Sequence, residues 1–266
     1  MLHFHSIGGQ ACYIASDEPD AMRTRPGELD GMATVREFNL LSALPRCVRD
    51  VGARRASKGE SRRLALQFGR EYFDGTREQG YGGYHYDGRW VAIARRAIEH
   101  WQLKPGDRVL DIGCAKGFFV KDLRDVLSGL DAIGIDISDY ALENAHPDAK
   151  PYLFKASCDD LPFADRSFAA VFAINTIHNL ERDGCRRALR EIERVCPGGG
   201  FVQVDAYRTE TERELFLEWM LTAKTFDTPA GWMELFNAAG YTGQHGWTIL
   251  ELDDGVIQNK QMISPR

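Results

Sequence analysis

The side chains best suited to chemistry in this chain are Asp111, Asp136, Asn175, His178 and Asn179. Asp111 lies two residues before Gly113 in Arg108-Val-Leu-Asp-Ile-Gly-Cys-Ala-Lys-Gly-Phe-Phe-Val-Lys-Asp-Leu123, and Gly117 follows in the same stretch. Glycines there let a ligand approach the backbone closely. A carboxylate beside such a turn suits a ligand with a cationic amino group better than a pyrophosphate. Asp136 ends the apolar run that starts at Ala132, 19 residues after Gly117. A carboxylate accepts two O–H donors side by side, so an acid ending a second strand can hold a ribose diol. Ser138 is a good helix N-cap in its own right, which leaves Asp136 for a ligand. In Asn175-Thr-Ile-His-Asn-Leu180, the histidine suits proton transfer near neutral pH. The two asparagines can orient a substrate by donating and accepting hydrogen bonds.

The pattern around these residues predicts the elements that position them. Val109, Leu110 and Ile112 form a short apolar run that reads as a buried strand. Phe119, Val120 and Leu123 then fall on a helix face, and a helix N-terminus offers free N–H groups. Further strands are expected over 132–137, 151–157, 169–175 and 201–206, with helices over 90–103, 182–196, 209–227 and 230–240. Two last strands, over 247–252 and 256–263, would be joined by Asp253-Asp-Gly255. Strands alternating with helices imply a parallel sheet, with ligands bound at its carboxyl edge. Neither the G-x-G-x-x-G of dinucleotide folds nor a P-loop is present.

Val-Leu-Asp-Ile-Gly-Cys-Ala-Lys-Gly117 resembles the first motif of the class I S-adenosylmethionine (SAM) dependent methyltransferases. The resemblance extends through the acid at 136, Leu161-Pro-Phe163 before the fourth strand, and Pro197-Gly-Gly-Gly200 before the fifth. It covers about residues 104–263 and implies a Rossmann-like, seven-stranded, mostly parallel sheet with helices on both faces and a C-terminal antiparallel hairpin. It implies SAM as cofactor. On that resemblance Asp111, Gly113, Ala115 and Gly117 line the methionine part, and Asp136 and Ile137 hold the ribose and flank the adenine. Ser157 and Cys158 meet the adenine edge. Three positions depart from the pattern: Ala115 stands where the family usually has glycine, Ser157 where an acid often meets the adenine amino group, and Ala169 where Asp is usual.

Upstream, residues 1–31 read as a loose tail and Met32 as an alternative start. Residues 35–70 read as two helices broken near Gly52 or Gly59. The stretch from Tyr72 to Trp90 holds five glycines and six aromatics in nineteen residues. Glycine at that density resists regular structure. The region 32–103 is thus expected to be a helical and aromatic lid on a SAM-binding domain spanning 104–266. Tyrosine faces attract a cation such as a sulfonium by about 0.5–2 kcal/mol. Tyr81 and Tyr84, and beside them Tyr86, are the candidates, with Tyr84 placed nearest the reacting group together with His178 and Asn179. Asn175 is expected beside the cofactor.

A net charge of −6 over 266 residues argues against a broad nucleic-acid-binding face. Six scattered cysteines without C-x-x-C pairs fit reduced thiols in the cytoplasm. His3 and His5 lack a nearby third ligand, and no metal is expected. No apolar run approaches membrane-spanning length. The expected activity is methyl transfer to an O or N of a small molecule, with a homodimer as the one protein partnership considered. Two other readings stand beside it. One is a relative that cyclises SAM to azetidine-2-carboxylate and methylthioadenosine; the other is a non-catalytic SAM-binding protein.

Overall fold

The computed structural model describes residues 35–44 and 57–250. The expected tail over 1–31, Met32, the 253–255 turn and the strand over 256–263 lie outside the described residues. At the heart of the fold are β2 (Arg108–Ile112), β3 (Asp131–Asp136), β5 (Ala170–Ile174) and β6 (Gly200–Asp205), each a mostly apolar run buried on both sides through its middle. Such runs are what central parallel strands require, since helices cover both faces. With β1 (Arg36–Glu37), β4 (Leu153–Lys155) and β7 (Gln244–Thr248) they form a seven-stranded sheet in the order β1-β7-β6-β5-β2-β3-β4.

All pairings in this sheet are parallel. The strand expected over 247–252 is therefore β7, three residues earlier, lying parallel to β6. Its other neighbour is β1, from a stretch that helical spacing had assigned to a helix. The Phe38 amide donates to the His245 carbonyl at 2.8 Å, which extends the ladder past β1. The adjoining Leu40–Ala43 forms a single 3₁₀ turn with Leu40 and Leu41 buried. Gly59 breaks nothing: it lies inside α1 (Lys58–Ala65).

Strand alternation sorts the core into two layers. Val109, Ala132, Ala170, Phe172 and Phe201 pack against α3 (Trp90–Trp101) and α4 (Phe118–Val126). Leu110, Ile112, Ile135, Val171 and Val202 pack on the opposite layer with α6 (Arg182–Val195) and α8 (Pro229–Ala239). Two short helices, α2 (Arg70–Asp74) and α5 (Asp139–Glu143), meet over the carboxyl edge of β3.

The helix expected over 209–227 stops early, as α7 (Glu210–Trp219). The chain from 220 to 228 spends its backbone groups on tertiary partners instead. The Arg62 guanidinium donates to the Leu221 and Ala223 carbonyls at 2.9 and 3.1 Å. The Lys224 and Thr225 amides both donate to the His178 carbonyl at 3.0 Å.

Candidate functional site

A cavity of about 260 Å³ opens at the carboxyl edge of the sheet. Its floor comes from the ends of β2, β3 and β5 and the turns that leave them. Of the residues singled out from the sequence, Gly113, Ala115, Asp136, Ile137, Ser157, Cys158, Asn175, Asn179 and Tyr81 line it.

Asp136 is the joint of the floor. Its two carboxylate oxygens accept the amides of Ala115 and Ser138, each at 2.8 Å, tying the glycine turn to the tip of β3. Burial pushes its carboxyl up, against the lowering by the Ser138 and Ala115 amides. Ser138 caps α5 as expected, its hydroxyl accepting the Ala141 amide at 3.0 Å. It also donates to the Phe68 carbonyl at 2.6 Å, which fastens the upstream segment down. Ile137 stays 49% exposed on the cavity wall, an apolar side chain left open at the floor's rim.

Gly113 must be glycine: its φ is +74°, and a Cβ would lie 2.2 Å from the Thr176 hydroxyl. Ala115 shares the left-handed region at φ +50°, a conformation that costs an L-residue roughly 1–2 kcal/mol. Asn175 is a third such position, at φ +52°. Its Oδ1 accepts the Thr248 hydroxyl at 2.8 Å, and that hydroxyl accepts Gln203 Nε2 at 3.3 Å. The relay fixes the amide so that Nδ2 is the end left over. Asn175 Nδ2 and Asn179 Oδ1 are buried and meet no hydrogen-bond partner among the described residues. An orphan donor and an orphan acceptor on one cavity wall are open to a ligand.

Five expected residues are not brought to the cavity lining: Asp111, Gly117, Tyr84, Tyr86 and His178. Alternation along β2 sends Asp111 with Val109 to the α3 and α4 side, behind the turn. There burial, and then the Asp136 charge, push its carboxyl up to about 8. Gly117 serves packing, since a Cβ would lie 2.7 Å from Leu153 and 2.8 Å from Ala149. Tyr84 stacks on Phe118 with ring centres 4.9 Å apart, one ring behind Tyr81. The His178 ring is buried in the 3₁₀ turn Ile177–Asn179 and points into the protein body, where its Nδ1 accepts the Asp205 amide at 3.1 Å.

The floor suits SAM: a carboxylate at the tip of β3 beside a tight glycine turn. Residues 110–204 match the family model described as a methyltransferase domain. Over those residues the chain carries a methyltransferase domain, and its likeness is to the class I SAM-dependent methyltransferases. The chain is 34% identical over 115 residues to the uncharacterized protein MJ1252 of Methanocaldococcus jannaschii, covering 43% of each. It is 32% identical over 157 residues to a demethylmenaquinone methyltransferase of Symbiobacterium thermophilum, covering 53% of this chain and 59% of that one. A malonyl-[acyl-carrier protein] O-methyltransferase of Legionella pneumophila is 33% identical over 116 residues, covering 42% of this chain and 40% of that protein. These matches span only about half the length of the relatives. Among solved structures, the Haloferax volcanii methyltransferase solved in complex with its Trm112 activator is 27% identical, with a TM-score of 0.46 over 55% of this chain and 66% of that one.

The rest of the cavity comes from residues the sequence did not single out. Leu66, Phe68, Tyr72 and Phe73 form the wall facing the floor, and Thr176, Leu180 and Lys224 complete the rim. The density of aromatics marked this wall in outline, while Lys224 was hidden in an expected helix. The wall is latched at Asp74, whose carboxylate oxygens both lie 2.7 Å from Lys116 Nζ, within the glycine turn. Asp74 also accepts the Tyr140 hydroxyl at 2.7 Å and the Tyr84 amide at 3.2 Å. Burial opposes ionisation, yet the bonds from Lys116, Tyr140 and the Tyr84 amide hold the Asp74 carboxyl below its usual range. Tyr86 lies outside the cavity and donates to Asp122 Oδ1 on α4 at 2.6 Å. Cys158, the thiol in the lining, is pushed up to about 12 by burial, which leaves it a neutral packing group.

Proposed function

We propose that the protein is a methyltransferase that uses SAM to methylate an oxygen or nitrogen of a small molecule. The observation that carries this reading is the cavity itself. Its floor presents Asp136 and the orphan Asn175 and Asn179 groups, and its opposite wall is aromatic. When bound there, SAM supplies an electrophilic methyl group on a sulfonium centre. In this reading Asp136 holds the ribose diol while Ile137 and Ala156 border the adenine, and Ser157 and Cys158 lie at its edge. Asp111 sits behind the turn toward the amino-acid end, where an arriving ammonium draws its carboxyl from the neutral to the ionised form. Tyr72 and Tyr81 offer ring faces to the positive sulfur, and Tyr84 backs Tyr81. Residues 57–89 act as a lid that excludes water and fixes the acceptor's approach, which is most of what methyl transfer asks of a protein. We assign His178 to holding the turn after β5, since its Nδ1 is already engaged by Asp205.

Acceptors named for the relatives include demethylmenaquinone, malonyl-[acyl-carrier protein], sterols and tRNA. A small molecule is favoured here by the walled cavity and the net charge of −6. No helix among the described residues is long and apolar enough to cross a membrane, and we place the enzyme in the cytoplasm.

The test is incubation of purified protein with SAM, alone and with a panel of hydroxy and amino compounds, read by mass spectrometry. S-adenosylhomocysteine with a methylated acceptor supports the reading. Methylthioadenosine formed without acceptor points to cyclisation of SAM instead. Tight binding with no turnover across the panel points to a SAM-binding protein.

A further inference from the structure

Lys224 lines the cavity, is exposed, and makes no ion pair among the described residues. It is also the one Lys or Arg among the described residues that line the cavity. Most of the arginines on nearby elements are tied up: Arg62 on the 221 and 223 carbonyls, Arg182 on Asp227, Arg187 on Asp159. An ammonium held at a cavity mouth without a partner is poised for an anion.

Its position separates it from the cofactor groups. Asp136, Ile137 and Ser157 sit at the β3 and β4 side of the sheet. Lys224 belongs to the 220–228 connection, and its amide is fixed to the His178 carbonyl beyond β5. Asn175 and Asn179 flank that same side. Their orphan Nδ2 donor and Oδ1 acceptor match one hydroxyl or amine, which can both accept and donate. The facing wall is apolar and aromatic through Leu66, Phe68 and Phe73.

We infer that the methyl acceptor is a carboxylic acid with an apolar body and a hydroxyl or amino group: Lys224 takes the carboxylate, and Asn175 with Asn179 takes the neutral polar group. This rests on the methyl-transfer reading and narrows its substrate class. A carboxylate is also present on SAM, so the test must separate the two sources.

The probes are para-hydroxybenzoate, para-coumarate and a long-chain ω-hydroxy fatty acid, each paired with its primary amide, which keeps the shape and removes the charge. Each is titrated by calorimetry into the full chain loaded with S-adenosylhomocysteine. At least one acid should bind about 10-fold or more tightly than its amide, the scale of one charge-assisted hydrogen bond. Lys224→Gln should erase that difference and leave S-adenosylhomocysteine affinity within about 2-fold. Asn179→Ala should weaken acid and amide alike. The proposal is overturned if no acid outbinds its amide on the unsubstituted protein. It is equally overturned if Lys224→Gln weakens S-adenosylhomocysteine, since the lysine then serves the cofactor's carboxylate. The heat of S-adenosylhomocysteine binding alone reports the methyl-transfer reading separately. Should that heat be absent, the same acid and amide pairs are titrated into the unloaded protein.

Discussion

Replacing Asp74 by alanine should open the cavity without unfolding the domain. Asp74 gathers both bonds from Lys116, the Tyr140 hydroxyl and the Tyr84 amide, and so links the aromatic wall to the glycine turn and to α5. The Lys116 side chain is only 8% exposed and that of Asp74 20%, so the pair is largely out of water. Removing one partner of such a pair leaves a buried charge and costs roughly 3–5 kcal/mol. Most of that falls on the local opening of residues 70–86, because the two-layered core around β2 and β5 does not depend on it. A loss of about 3 kcal/mol in local opening speeds amide exchange about 100-fold. Hydrogen exchange read by mass spectrometry should therefore show faster exchange across 70–86 in Asp74→Ala, with β2 and β5 unchanged. SAM affinity should fall in step, and Asp74→Asn should lie between. The pH dependence follows from the depressed Asp74 carboxyl. The latch is fully present above the ordinary carboxylate range, about pH 4, and is lost as pH falls through the lower folded value. Unchanged exchange over 70–86 in Asp74→Ala would refute the latch.

Other outcomes follow from the floor. Asp111 is held up to about 8 by burial and by Asp136. The native protein thus keeps a proton that the unfolded chain loses near pH 4, so this group's contribution is fullest below that pH. It drains by up to about 1.4 kcal/mol per pH unit as pH rises toward 8. Ligand-stripped Asp111→Asn should show a flatter dependence of thermal unfolding on pH between those limits; identical slopes would count against the buried acid. Gly113→Ala places a methyl 2.2 Å from the Thr176 hydroxyl at φ +74°. Loss of SAM binding by at least about 10-fold in calorimetry is expected. Ser138→Ala removes both the α5 cap and the Phe68 anchor. It should cost about 1 kcal/mol in chemical denaturation and also loosen exchange near Phe68.

The central strands were legible because a strand buried on both faces must be largely apolar, as 170–174 is and as 109–112 is apart from Asp111. Asp136 and the glycine turn could be placed because their roles are set by backbone position. Side-chain direction was harder. His178 reads as a proton carrier by type, but a 3₁₀ turn aims it at the Asp205 amide. The alternation that makes β2 recognisable also carries Asp111 behind the turn. Lys224 was invisible because the 220–228 connection owes its shape to Arg62 and to the His178 carbonyl, contacts remote in sequence. Arg36–Glu37, two charged residues, carry no periodicity from which a strand could be read.

That shortest strand has a consequence for handling the protein. An uncovered parallel strand offers a row of free N–H and C=O groups to any passing chain. Arg36, Glu37 and the Phe38 amide occupy the outer rim of β7, and Glu37 also takes the Trp247 indole N–H at 3.1 Å. A truncation beginning after residue 38 would strip this selvedge and leave Gln244–Thr248 bare. Such a protein would retain its cavity and yet tend to self-associate through that margin.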